Sequence, residues 1–322
     1  MRARLRDLME RHRWAVVCVQ VGIVVAILAL LAFFVRGAWD EAGDRIADAK
    51  PLDLGLAVVW LAAYYLLFVI GWIWILAAWG VKLPYRHALQ AEMVSMLAKY
   101  IPGVVWTPAA RVVAVRRAGI TDTPLVLSSV LLEAGLSAVA GVLVFLAGLL
   151  SVQDVDTELV PLLAFGVLVS VLLHPRVFGR IARLVFRPFG GEPPPPLPYR
   201  TMVGLLVYYS FTWLVGGAAL FFLVRSVGGT PSVSEIAFLG GASAVGAIVA
   251  VLAVFAPSGL GVREASMYGL LRAIAPSGAA LGTIVLNRLA ITIVEAALLV
   301  VGGLFFRLLG STGRWRPAER TD

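Results

Sequence analysis

Cysteine, histidine and charged residues are all scarce in this chain of 322 residues. The single cysteine, Cys18, excludes a disulfide framework and a thiol metal site. Three histidines, each beside basic residues at the end of an apolar segment, argue against a histidine-rich metal site. Charged residues make up 14% of the chain and hydrophobic residues 60%, whereas soluble domains carry about 25% and 45–50%. These proportions exclude a disordered chain, a collagen-like fibre and a soluble enzyme.

Long hydrophobic runs are abundant instead, and the mean hydropathy is +0.92. A run of about 20 apolar residues is the length that crosses a bilayer as a helix. The sequence therefore predicts an all-α polytopic membrane protein with about six full spans, the first of them a retained helix rather than a signal peptide. The predicted spans are 14–35, 53–79, 124–150, 159–173, 201–224 and 279–306.

Two further apolar stretches, 88–115 and 235–274, are interrupted by helix-breaking residues. Proline removes a helical hydrogen bond and glycine loosens the backbone, so neither stretch is expected to form one straight span. Each is predicted to be a re-entrant hairpin or a broken helix lining a cavity. The breaks are Pro102, Gly103, Pro257, Gly259 and Gly261.

The distribution of basic residues favours hairpins over full crossings. With six spans and a cytoplasmic N-terminus, cytoplasmic loops hold 18 of the 27 Lys and Arg residues and external loops hold five. This asymmetry agrees with the positive-inside rule. The net charge of +8 is accordingly attributed to orientation and to anionic lipid, not to nucleic acid. We expect a multi-pass protein of the cell inner membrane with both termini cytoplasmic.

In this topology the two hairpins enter from opposite faces, which is typical of an inverted-topology repeat. The spacing agrees, since Pro102 to Glu133 and Pro257 to Arg288 are both 31 residues. We predict one integral membrane domain over 1–322, with repeats at 53–150 and 201–306 and a Pro-rich cytoplasmic linker at 188–198.

Nine ionisable residues lie inside or at the edge of the apolar stretches. With Glu235 set aside as an interface residue, the other eight form a balanced set of four bases and four acids. A charge at the bilayer centre costs at least ~2.5–3.5 kcal/mol, so such side chains usually face a cavity or one another. Glu133 is too short to reach the interface and must pair with a base or be protonated. The bases are Lys99, Arg111, Arg263 and Arg288, and the acids are Glu92, Glu133, Glu264 and Glu295.

These residue types suit a lipid phosphate. The bases are candidates to bind the head group together with Asn287, while the acids are candidates to hold the bases in place or carry a coupling proton. The alternative is that the charges only form salt bridges between helices.

Two other groups of residues are expected to serve the membrane setting and helix packing. We expect interface anchors or lipid-facing side chains at Trp60, Trp72, Trp74 and Trp79. The small residues at 240–246 are expected to allow close helix packing.

Catalytic patterns for nucleotides, metals and nucleophilic serine are missing from the sequence. We therefore expect a transporter and not an enzyme, with neither a cofactor nor a bound metal.

Two motifs resemble those of the lysylphosphatidylglycerol synthase transmembrane-region family. The first is Lys-Tyr-Ile-Pro-Gly-Val-Val-Trp at 99–106, followed by Arg111 and Arg-Arg-Ala-Gly-Ile at 116–120. The second is Pro-Ser-Gly-Leu-Gly-Val-Arg-Glu at 257–264, in which Ser258 replaces a glycine that is usual there. The similarity extends over about residues 14–308.

The resemblance implies a flippase-like domain that moves a lipid with a phosphate head group between leaflets. Full-length synthases carry a separate cytosolic aminoacyl-transferase domain, which is not expected in this chain. Other stand-alone relatives are linked to polyprenyl-phosphate-sugar or hopanoid traffic, so both a phospholipid and a polyprenyl-phosphate-linked lipid stay open. The competing functions are an intramembrane transferase that uses a lipid-phosphate donor and a non-transporting lipid-binding subunit. A separate lipid-modifying enzyme and a second copy of the chain are compatible partners.

The topology is testable by labelling single cysteines from either side of the membrane in a variant lacking Cys18. Positions 2 and 316 should react only from the cytoplasm, and positions 44 and 154 only from outside. An external C-terminus would contradict the six-span topology and the inverted repeat with it.

Overall fold

The computed structural model describes residues 42–99, 106–152, 177, 197–253 and 256–308. Within these ranges the chain is helical and has no strand. The predicted spans at 14–35 and 159–173, residues 188–196 of the linker and the break residues Pro102 and Gly103 lie outside the described residues.

Within the described residues from 51 onward, eight α-helices are labelled α1 to α8 in chain order, and the same order of long and short helices occurs twice. A long helix is followed by two shorter ones and then by another long helix in 51–149, and the same order returns in 199–308. The helices are α1 Pro51–Ala78, α2 Tyr85–Ala98, α3 Trp106–Arg117, α4 Thr123–Leu149, α5 Tyr199–Ser226, α6 Ile236–Leu252, α7 Val262–Leu271 and α8 Ser277–Leu308.

Helix lengths show which segments can cross a bilayer. A helix rises about 1.5 Å per residue, so α2, α3 and α7, with 14, 12 and 10 residues, are too short for a hydrocarbon core of about 30 Å. Among the described residues, five segments are long and apolar enough: α1, α4, α5, Val233–Leu252 and Ser277–Val301. The chain is thus a multi-pass membrane protein.

The arms of the second interrupted stretch are unequal. Its first arm, Val233–Leu252, is long enough to cross, while its second arm, α7, has only 10 residues. Re-entry of either stretch from one membrane face stays a prediction.

Local signals explain where helices begin. Asp122 accepts a hydrogen bond from the Leu125 amide at 3.0 Å and caps α4, with Pro124 in its first turn. Ser232 and Glu235 form a capping box before α6. Glu235 is thus a partly buried capping residue that accepts from the Ser232 amide, and it takes no part in the buried charge set.

Glycines let α4, α5 and α6 approach until their backbones touch. A Cβ atom at Gly217 would lie 2.2 Å from the Ile236 carbonyl oxygen, and one at Gly241 would lie 2.3 Å from the Phe145 Cα. Such contacts are how small residues promote packing of membrane helices. The small-residue run at 240–246 packs in this way.

Gly241→Ala should therefore destabilise the protein, because its new methyl group meets backbone that cannot rotate away. We expect a loss of about 1–3 kcal/mol in the free energy of unfolding, measured by denaturant titration in mixed micelles. The matched control is Gly55→Ala in α1, where a Cβ atom meets nothing within 4 Å, and this change should leave stability equal or slightly higher. Equal losses in both variants would contradict the packing account.

Candidate functional site

The two interrupted stretches meet in space. The amide of Ser258, in the second break, donates a hydrogen bond to the carbonyl oxygen of Lys99, which directly precedes the first break. The two atoms are 3.2 Å apart. Residues separated by about half of the chain are thereby joined at one point, and the buried charges are arranged around it.

The turn in the second break has an unusual backbone. Ser258, Gly259 and Gly261 have φ angles of 53°, 67° and 83°, all in the left-handed region. For a residue with a Cβ atom this conformation costs roughly 1–2 kcal/mol. Serine in place of the usual glycine therefore keeps the turn at a modest cost in stability.

Arg111 on α3 lies at the centre of the first charge cluster. Its guanidinium group forms salt bridges with Glu92 on α2 and Glu133 on α4. It also lies over the ring of Trp72 on α1, 4.5 Å from the centroid. All four side chains are buried, so four helices converge on one cation. We call Glu92, Arg111 and Glu133 the Arg111 cluster.

Trp72 corrects a sequence-based expectation. It is neither an interface anchor nor lipid-facing, because its side chain is fully buried and its indole N–H donates to the Ser129 hydroxyl at 2.9 Å. Trp60 and Trp74 are partly exposed on the same helix. The ring of Trp72 instead forms one wall around Arg111, a role that no sequence pattern had indicated.

Lys99 connects the first break to α8. Its ammonium group pairs with Glu295, which also accepts a hydrogen bond of 2.5 Å from the hydroxyl of Tyr65 on α1. Tyr65 was missed from the sequence, although a tyrosine within an apolar span is a polar group that needs a partner.

Arg288 connects α8 to the second break. Its Nη1 atom lies 3.5 Å from Oε1 of Glu264, and its buried Nη2 atom has no hydrogen-bond partner among the described residues. The other oxygen of Glu264 accepts from the Gly261 amide at 2.7 Å, which caps α7. Arg288 is thus held by one long contact, whereas Arg111 is held by two carboxylates.

Arg263 and Asn287 are the least engaged of the candidates. Both are partly buried, and neither side chain has a hydrogen bond or salt bridge within the described part of the chain. The Arg263 stem packs against α6, where its Cγ would be 3.3 Å from a Cβ atom at Gly246.

Arg288 and Glu295 share a face of α8, as their spacing predicted, but they contact different partners. Glu295 pairs with Lys99 beside the first break, and Arg288 lies against Glu264 beside the second. α8 therefore contacts Lys99, which precedes the first break, and Glu264, which follows the second. We call Lys99, Arg263, Glu264, Arg288 and Glu295 the break-centre cluster, in which Arg263 and Arg288 also act electrostatically on Lys99.

A partly open cavity of about 160 Å³ lies beside Lys99. Aromatic rings of α1 and polar groups of α2 line it, among them Tyr64, Tyr65, Phe68, Glu92, Ser95 and Lys99. One water occupies about 30 Å³ in the liquid, so this cavity has room for a small polar group such as a phosphate but not for a whole lipid.

Comparison with known proteins places the chain in a family. A search of curated proteins gave no match. The family model described as the lysylphosphatidylglycerol synthase TM region matches residues 19–299, which is most of the chain and includes every buried charge described above. This protein therefore belongs to the lysylphosphatidylglycerol synthase transmembrane-region family.

Proposed function

We propose that this protein is a lipid flippase or scramblase that moves a phosphate-bearing lipid between the leaflets of the membrane. The observation that carries the proposal is the hydrogen bond between Ser258 and Lys99, with buried charges grouped around it. Membrane transporters commonly bind polar cargo at mid-depth, where broken helices meet.

The depth of the charges supports this proposal. Arg288 lies one residue from the middle of the apolar segment Ser277–Val301, and Glu133 lies three residues from the middle of α4. At about 1.5 Å per residue, both Cα atoms are within roughly 5 Å of the centres of their helices. Charges at this depth usually mark a pathway or a binding site.

The chemistry of the site favours an anionic head group. Lysine and arginine provide the charged donors that phosphate oxygens accept. Here they lie on separate helices around the joined breaks, so a phosphate could pass from one base to another. The acyl chains would stay in the surrounding lipid while the head group crosses through the polar interior.

The proposal includes the membrane in which the protein lies and its orientation. We place the protein in the cell inner membrane with both termini in the cytoplasm, as the distribution of basic residues favours. It needs neither aminoacyl-transferase activity nor a cofactor for this role.

Reconstituted liposomes test the proposal. Purified protein should exchange a fluorescent phospholipid between leaflets at a rate at least tenfold above protein-free vesicles. Lys99→Gln should lose most of this exchange, because it removes the base that connects the breaks to Glu295. The matched control is Lys82→Gln, which removes the same charge from an exposed position and should leave exchange unchanged.

Two results would contradict a flippase. Chemical conversion of the lipid without exchange would indicate the intramembrane transferase, and binding without exchange would indicate the non-transporting subunit.

A further inference from the structure

We infer that residues 293–301 of α8 form a movable gate beside the cavity, and that Tyr65 is the positioning residue that holds this gate closed. We call these residues the gate segment. The inference concerns how the protein moves, so it goes beyond the proposed function and does not depend on the identity of the cargo.

Glu295 of the gate segment contacts two other helical regions through one oxygen atom. Its Oε1 atom accepts a hydrogen bond of 2.5 Å from the Tyr65 hydroxyl on α1, and the same atom pairs with the ammonium group of Lys99 directly after α2. Tyr65 and Lys99 both line the cavity. Movement of Glu295 away from α1 would therefore release two side chains of the cavity wall at once.

The two halves of α8 are anchored unequally within the described residues. Ala279, Ala280 and Ile284 of the first half belong to a core cluster of fourteen buried residues with α5 and α7. Val294 of the gate segment belongs to a cluster of only five, in which Leu61 represents α1. Less packing has to be lost when the gate segment moves than when the first half moves.

A point at which α8 can bend lies between the two halves. The hydroxyl of Thr292 donates a hydrogen bond of 2.9 Å to the carbonyl oxygen of Arg288, one turn earlier in the helix. Bonds of this kind weaken a helix slightly and often bend it. Arg288 in turn lies against Glu264 of α7, so α8 is anchored as far as Arg288 and bends most easily just beyond it.

The packing of α4 against α6 provides a fixed reference for this movement. A Cβ atom at Gly148 would lie 2.2 Å from the Phe238 amide nitrogen, so the two backbones are in direct contact. The indole N–H of Trp213 on α5 also donates to the Ser137 carbonyl oxygen on α4 at 2.8 Å. The distance between α4 and α6 should therefore stay constant while the gate segment moves.

Distances between pairs of spin labels measure the movement. The labels are attached to cysteines in a full-length chain that lacks Cys18, held in lipid nanodiscs with no added cargo. The gate pair joins Val59 of α1 to Val300 of the gate segment, and the reference pair joins Leu143 of α4 to Val251 of α6. All four side chains are exposed, so a label at each position disturbs little packing.

Two variants should open the gate. One hydrogen bond to a charged group is strong enough to shift an equilibrium between two conformations about tenfold. Tyr65→Phe should therefore raise the ratio of the longer to the shorter distance of the gate pair about tenfold. Glu295→Leu loses both polar contacts and should raise this ratio further. The reference pair should keep its distance in both variants.

A second measurement connects the movement to the cavity. Ser95 lines the cavity and is fully buried, and Ser95→Cys introduces a thiol of nearly the same size. We expect a water-soluble maleimide to modify this thiol about tenfold faster when Tyr65→Phe is also present, because the open fraction rises by that factor.

The matched control for both measurements is Tyr64→Phe. Tyr64 precedes Tyr65 on α1 and lines the same cavity, but its hydroxyl has no hydrogen bond within the described residues. This variant should match the wild type in distances and in modification rate. Size-exclusion elution and the helical circular-dichroism signal confirm that each variant is folded.

The outcomes decide the inference independently of transport. An unchanged gate pair in both Tyr65→Phe and Glu295→Leu, equal changes in the gate and reference pairs, or movement without faster modification of Ser95→Cys overturns it. Neither measurement includes lipid exchange. A gate that opens as expected in a protein that exchanges no lipid would leave this inference standing and contradict the proposed function alone.

Discussion

An ion buried among apolar helices must be neutralised by a neighbour, and this constraint organises the described structure. Arg111 illustrates it most fully. The cost of removing a guanidinium group from water is several kcal/mol even after relaxation, and here Glu92, Glu133 and the face of Trp72 offset it. Because these neighbours come from α1, α2 and α4, neutralising one cation on α3 fixes the relative positions of four helices.

The break-centre cluster is less completely paired than the Arg111 cluster. Through Glu295 and Arg288, α8 contacts Lys99 and Glu264 on either side of the two breaks, but the Nη2 atom of Arg288 has no partner among the described residues. Arg111 is held by two carboxylates, and within the described residues only its Nε atom has no hydrogen-bond partner.

Composition and periodicity were sufficient to predict the all-helical membrane class and the buried charges. The breaks around Lys99 and at Pro257–Gly259 were also predictable, because proline and glycine interrupt helices by local backbone chemistry. The pairing of charges was not. Glu133 contacts Arg111 and not Arg288, and this choice depends on how α3 and α4 are rotated and placed, which no spacing along the chain encodes.

The position of Trp72 could not be predicted from the sequence either. In α1 nearly every residue is apolar, so hydropathy cannot separate the face that meets lipid from the face that meets protein. Only the three-dimensional arrangement shows that Trp72 is buried against Arg111 while Trp60 and Trp74 are exposed. The unequal arms of the second interrupted stretch likewise follow from where α6 ends, which composition alone had not fixed.

The most direct test of the account is the free energy of unfolding of variants in the Arg111 cluster, measured by denaturant titration in mixed micelles. Arg111→Leu should lose about 3–5 kcal/mol, the cost of breaking a buried pair from one side, because Glu92 and Glu133 are then left unpaired. Adding Glu92→Gln and Glu133→Gln to that variant should recover at least half of the loss. Full stability in Arg111→Leu, or a further loss in the triple variant equal to the sum of its parts, would contradict the claim that mutual neutralisation of these buried charges holds the helices together.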